Sequence, residues 1–194
     1  IEAKFDELGN VVNISRGVEF GISSEYVKKT KSTYDDLIIV NGGDIDRYLI
    51  KPKERYTTHD SNNPSIYKPL SIYKEDKILM RRIGNHIISC IDRSGLCNVC
   101  DVYNIQTKQK DYSLLIINSI LNSSLIRFYF RTKYASVKKL FPKIPIENLK
   151  LLPIPNIEGN TTAPLEKRTQ NILVLNQQFS VILANIPSLL NSKY

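Results

Sequence analysis

The sequence predicts an α+β fold: a twisted, barrel-like and mostly antiparallel sheet, a helix packed on it over about 113–134, and a second helix protruding over about 163–190. Three observations predict it. Short runs of β-branched and apolar residues, punctuated by Gly, Asn and Asp, fill the first 105 or so residues. The apolar period then changes from two to three or four near Ser113. A heptad seam closes the chain. The expected division is a body over 1–156 and a helical segment over 157–194.

In chain order, Val11-Val12-Asn13-Ile14-Ser15-Arg16 is β-rich, and Gly17 and Gly21 frame a short loop in which backbone can approach a partner closely. Lys28, Lys29 and Lys31 read as a solvated surface. Leu37–Val40 is a short buried strand stopped by the turn signal Asn41-Gly42-Gly43-Asp44. Lys51, Lys53 and Arg55 then alternate along an extended stretch, so period two places them on one face between Tyr48 and Tyr56. Such a stripe suits phosphate contact, or a solvated edge strand guarded by lysines. Residues 57–72 form a polar loop of the length that often carries function.

The chain is organised around 77–92. Lys77-Ile78-Leu79-Met80-Arg81-Arg82 ends in two arginines, Gly84 turns it back, and His86 opens the return through Ile87-Ile88-Ser89-Cys90-Ile91-Asp92. Neighbouring strand side chains point to opposite faces, so at least one arginine reaches solvent or an anion. Asp92-Arg93-Ser94-Gly95 is a second turn, and Leu96–Ile105 is expected to return as one strand.

Leu114, Ile117, Leu121, Leu125 and Phe128 then mark one amphipathic helix, with Asp111 or Ser113 as its cap. Its exit, Arg131 to Lys139, holds more cations than a helix C-terminus requires. Phe141-Pro142-Lys143-Ile144 and Leu152-Pro153-Ile154-Pro155 are extended connectors. The last helix starts near Thr162 with Pro164 in its first turn. Its seam is Leu165, Arg168, Ile172, Leu175, Phe179, Ile182, Ile186 and Leu189, and Pro187 should kink or end it. Its expected partner is another helix, in a second copy or elsewhere in a parent polypeptide.

At 194 residues there is room for one substantial core. A formal charge of +8 and a pI near 9.3 favour nucleic acid, an anionic membrane or an acidic partner. No apolar run spans a bilayer. A first residue Ile1 rather than Met suggests a piece of a longer polypeptide, and an odd cysteine count without a secretory signal suggests the cytoplasm. His86, Cys90, Cys97 and Cys100 are a conceivable zinc set. The spacing argues against it, because Cys97 and Cys100 in an extended run would face opposite sides; no metal is expected.

Taken together, Gly17-Val18-Glu19-Phe20-Gly21, Asn41 to Tyr48, Lys77 to Gly84, Leu121-Asn122-Ser123, Phe141 to Ile144 and Leu152 to Pro155 resemble, in content and order, the TaqI-like C-terminal specificity domains. These are the target recognition domains of adenine-specific DNA methyltransferases and type IIG restriction-modification enzymes, related to type I specificity subunits. The resemblance covers about 14–156, and the last helix resembles the helical spacer that follows such domains. It implies a non-catalytic domain that selects a sequence in the major groove of double-stranded DNA. S-adenosylmethionine would be bound by a separate methyltransferase domain of the same polypeptide, which can also carry a nuclease. No cofactor is expected in this fragment, and the last helix can support self-association.

The DNA-binding candidates are accordingly Arg47, Lys51, Lys53, Arg55, His59, Asn62, Asn63, Arg81, Arg82, His86, Lys138 and Lys139. Arg81, Arg82, Lys53 and Arg55 suit phosphate or guanine, and His59, Asn62 and Asn63 suit base edges. Three other readings compete. Asn63-Pro64-Ser65-Ile66-Tyr67 resembles the Asn-Pro-Pro-aromatic motif of adenine methyltransferases, but its aromatic comes one place late and no glycine-rich loop precedes it. Asp60, Glu75 and Lys77 resemble the set of a Mg²⁺-dependent nuclease, although Glu75 precedes the apolar strand instead of lying in it. An interaction module working through the last helix, without nucleic acid, is the third.

Overall fold

In the computed structural model the described residues are 5–108, 112–134, 142–156 and 162–191. The elements are β1 (Phe5–Glu7), α1 (Leu8–Val11), β2 (Val12–Arg16), β3 (Leu37–Val40), β4 (Ile45–Asp46), β5 (Leu49–Ile50), β6 (Tyr56–Thr57) and α2 (Leu70–Lys74), then β7 (Lys77–Arg81), β8 (Ser89–Asp92), β9 (Cys97–Asn98) and β10 (Val102–Thr107). They are followed by α3 (Leu114–Leu121), α4 (Ser124–Tyr134), α5 (Ile146–Lys150), β11 (Pro153–Pro155) and α6 (Ala163–Asn191). The fold is α+β, as expected.

The expected barrel is not formed. Among the described residues the strands make a four-stranded antiparallel sheet, β2-β10-β7-β8, a three-stranded sheet, β6-β3-β9, and two two-stranded ribbons, β1-β11 and β4-β5. Strands of two or three residues offer too few ladder bonds to carry a sheet around into closure.

The central sheet is buried on both faces, which is why β7 reads as an unbroken apolar run. Ile78 and Met80 face Tyr103, Ile105, Ile117, Leu121, Ile126 and Phe130; Leu79 faces the other way with Val40, Ile45, Cys90, Leu96 and Val102. Burial of each such side chain contributes about 1.5–3 kcal/mol. A third cluster, Val18, Ile39, Tyr67, Tyr73, Cys97 and Val99, sits under the 17–73 loops.

Several sequence expectations change here. The run Leu96–Ile105 is two strands: β9 leaves the hairpin and pairs in parallel with β3, Ile39 opposite Cys97, before a turn at Cys100-Asp101 opens β10. The close backbone approach expected at Gly17 is internal, since a Cβ there would stand 1.9 Å from the Asn98 carbonyl oxygen. The Lys28 ammonium is tied to Ser32, Asp36 and Thr58. Asp36 also accepts from Ser32 and Thr33, and the Thr58 hydroxyl foremost holds its carboxyl well below the ordinary range against the upward pull of burial.

The single helix expected over 113–134 is two. Ser113 caps α3, its hydroxyl accepting from the Ile116 amide, and the chain breaks at Asn122-Ser123. Asn122 explains the break. Its side-chain oxygen accepts from the Ser89 amide (3.1 Å) and its Nδ2 donates to the Ser89 carbonyl (2.9 Å), so it occupies the free edge of β8 as a neighbouring strand would. The new helix is rotated: Ile126 and Phe130 are buried, while Leu125 and Phe128, expected on the packed face, are exposed.

Helix α6 begins as expected but continues through Pro187 to Asn191. It lies on α3 through a mostly polar line, with Thr169 buried and Glu166, Gln170, Leu173 and Asn176 partly covered. Leu165, Ile172, Leu175, Phe179, Ile182 and Ile186 are exposed along the seam.

Candidate nucleic-acid interface

At the tip of the β7–β8 hairpin, Ile83 and Asn85 are exposed, while Ile87 turns back into the core. Gly84, at φ 150°, makes the turn that a side chain would strain. The tip does not stand free. The Gly84 amide donates to the Pro142 carbonyl (2.9 Å), the Ile144 amide donates to the Arg82 carbonyl (2.8 Å), and Ile83 bridges Lys143.

Cations gather on both sides of this tip. Burial lowers the His86 pKa, and the charges of Arg127, Arg131, Arg81 and Arg47 lower it further, so four guanidinium groups lie within electrostatic reach of one imidazole. They come from three elements. Arg81 ends β7 and donates to the Ile45 carbonyl (2.5 Å) and Asp46 (2.9 Å). Arg47, in the β4–β5 turn, donates to the Asn122 carbonyl (2.5 Å), so the corner that clasps β8 also holds this arginine. Arg127 and Arg131 project from α4, with no ion-pair partner among the described residues. On the other side, Arg16, Arg82, Tyr103, Lys143 and Glu147 line a concavity of about 410 Å³. Arg82 donates to the Cys100 carbonyl (3.2 Å), and its buried Nε has no partner.

Of the sequence candidates, Arg47 and Arg81 therefore lie within electrostatic reach of His86, and Arg82 lines the concavity on the other side of the hairpin. The stripe of Lys51, Lys53 and Arg55 does not form, because 51–55 is not a strand. Arg55 is ion-paired with buried Asp44, Lys51 lies 3.5 Å from Asp46, and Lys53 is exposed. His59 is half-buried, bonded to the Lys68 carbonyl (2.8 Å) and set edge-on to Tyr67 and Tyr73. The Asn63 side chain accepts from Ser65, and its carbonyl accepts from the Tyr67 amide, leaving Asn62 the exposed amide of that loop. Lys138 and Lys139 lie outside the described residues.

The competing sets are not assembled. Lys77 is fully buried, its ammonium donating to the Tyr73 carbonyl and to Asp92 (2.6 Å), whereas Asp60 caps a surface turn and Glu75 is exposed and accepts from Gln106 (3.1 Å). Tyr67 is buried against Phe20 and cannot stack on a base. Cys90 and Cys97 belong to different apolar clusters, where burial pushes both thiols up to about 12. Among the described residues no three His, Cys, Asp or Glu side chains converge as a metal site, and no helix is long and apolar enough to cross a membrane.

The sequence reading missed Arg16, Arg127, Arg131 as a partner of His86, and Lys143. One signal was available for three of them: from Tyr112 to Ile146 the chain holds six Lys and Arg and no Asp or Glu.

Residues 37–154, more than half of the chain, match the family described as the TaqI-like C-terminal specificity domain. The chain belongs to that family. No curated protein matches it. Among solved structures, this specificity domain is similar to the HsdS subunit from Thermoanaerobacter tengcongensis, with 12% identity and a TM-score of 0.51 over 93% of this chain and 38% of that one. It is similar to the type I restriction-modification S subunit from M. genitalium, with 11% identity and a TM-score of 0.54 over 93% and 41%. A third likeness is to a structure addressing assembly and conformational transition of the type I restriction-modification system, with 13% identity and a TM-score of 0.50 over 97% and 42%. At these identities the likeness is one of fold. The specificity domain spans about two fifths of the length of those chains.

Proposed function

We propose that this specificity domain selects a sequence in double-stranded DNA for a larger restriction-modification assembly and performs no chemistry itself. Methyl transfer from S-adenosylmethionine then belongs to a separate methyltransferase domain of the same polypeptide, in the cytoplasm. The observation that carries this reading is that β7, the β4–β5 turn and α4 bring arginines to one side of the hairpin, Arg81 on Asp46, Arg47 on the Asn122 carbonyl that precedes α4, and Arg127 and Arg131 exposed on α4 itself, in a member of the specificity-domain family. Cations drawn from several elements provide the phosphate contacts that fix a duplex in register, and the tip between them supplies base-edge contacts.

The test is selection from a pool of random-sequence duplexes, followed by binding measured against salt. A preferred sequence, and affinity falling linearly with salt on logarithmic axes, is the expected result. No sequence preference, or no DNA retention at low salt, defeats the reading. Mg²⁺-dependent cleavage that disappears in Glu75→Ala would restore the nuclease alternative.

The exposed seam of α6 supports an assembly role for that helix, with a second copy of the chain as partner. Sedimentation should show a dimer that Leu175→Glu with Phe179→Glu converts to monomer; a monomeric native chain removes the self-association.

A further inference from the structure

Two features of α4 go beyond the cationic rim. Ile126 and Phe130 form its buried side, yet Leu125 and Phe128 stand 71% and 69% exposed. At 100° per residue, Ser124, Phe128 and Arg131 run along the outward line, with Leu125 and Thr132 on one flank and Arg127 on the other. A single exposed leucine needs no explanation. A leucine and a phenylalanine set beside two arginines without ion-pair partners among the described residues, on a helix whose corner is clamped to β8, call for one.

The charge narrows the occupant. With no acidic residue between Tyr112 and Ile146, this face suits a polyanion that also offers apolar contacts. A DNA major groove has that chemistry: phosphates on both walls, and thymine C5-methyl groups on its floor. The dimensions agree, since an eleven-residue helix is about 16 Å long and the groove, about 12 Å wide, admits an α-helix.

We propose that α4 enters the major groove, Phe128 and Leu125 contacting base edges, thymine methyl groups foremost, while Arg127 and Arg131 hold the flanking phosphates. This rests on the DNA-recognition reading above. The tip and the β4–β5 turn, carrying His86, Arg81 and Arg47, then bear on the adjacent backbone. The Asn122 clasp fixes the angle at which α4 approaches, as a reading element set on a rigid corner requires.

The experiment uses the whole chain, a random-sequence duplex, the sequence selected from the random pool, and that sequence with deoxyuridine in place of thymidine. Leu125→Ser with Phe128→Ser should keep the native thermal midpoint, while the preference for the selected sequence over the random duplex falls at least about tenfold. Uracil replacement should weaken the native chain several-fold and this variant little. Arg127→Ala with Arg131→Ala should weaken both duplexes together and reduce the salt slope by up to about two. An undiminished preference in the serine variant overturns the assignment, as does a serine variant that loses self-association while its preference stands. A native chain indifferent to uracil overturns the methyl contact. A native chain that selects no sequence defeats the DNA-recognition reading itself.

Discussion

Lys77 and Arg81 lie four residues apart on β7 and point to the same face of the central sheet, yet their surroundings are opposite. Lys77 is fully buried, and the strand register sets Asp92 directly across from it. Arg81 is 27% exposed, and its acidic partner Asp46 is itself half-exposed and shared with Lys51. Arg82, next along, has a buried Nε with no partner at all. At one end the facing strand delivers a carboxylate to the cation it buries; at the other Arg81 stands across from Val102 and takes its acid, Asp46, from the β4–β5 ribbon. A strand cation is structural where the facing strand supplies an acid, and available for binding where it does not.

The comparison breaks most visibly at the buried end. Asp92→Ala leaves the Lys77 ammonium without its counter-charge and should cost about 3–5 kcal/mol in urea unfolding, whereas Lys77→Met combined with Asp92→Leu should recover most of that loss. At the open end the balance reverses. Arg81→Ala with Arg82→Ala should weaken duplex binding at least about tenfold and lower the unfolding free energy by no more than about 2 kcal/mol, the worth of a few partly exposed hydrogen bonds.

A smaller effect should appear with pH. Burial and four neighbouring arginines hold the His86 imidazole below its ordinary value, so it is neutral at pH 7. A bound polyanion offsets those cations and raises the pKa in the complex, so binding takes up a proton. Duplex affinity measured by fluorescence anisotropy should therefore strengthen as pH falls through the ordinary histidine range. His86→Asn should flatten the profile. The smallest effect belongs to Glu75→Ala, two residues from Lys77 but exposed, which should change thermal stability by no more than about 0.5 kcal/mol and leave duplex binding unaltered.

The hairpin was legible because its signals are local: an apolar run, two arginines and a turn glycine. The partner of Lys77 was not, because it follows from a register that places Asp92 inside β8 and not in the turn after it. The 113–134 helix misled for a related reason. Apolar spacing survives the Asn122-Ser123 break, and what ends α3 is a side chain claiming a distant strand edge. Likewise, alternation suggested a common face for Lys51, Lys53 and Arg55, but Asp44, held in the capping turn Asn41–Asp44, draws Arg55 inward.

The lacing of residues 82–84 to 142–144 has a further outcome. Backbone groups make two of those ties, and the exposed Asn85 and half-buried His86 beside them contribute no side chain to either. A new amino acid at 85 or 86 therefore changes what the fingertip can touch without changing where the finger is held, and a lineage can acquire a new target one codon at a time while its scaffold stays intact.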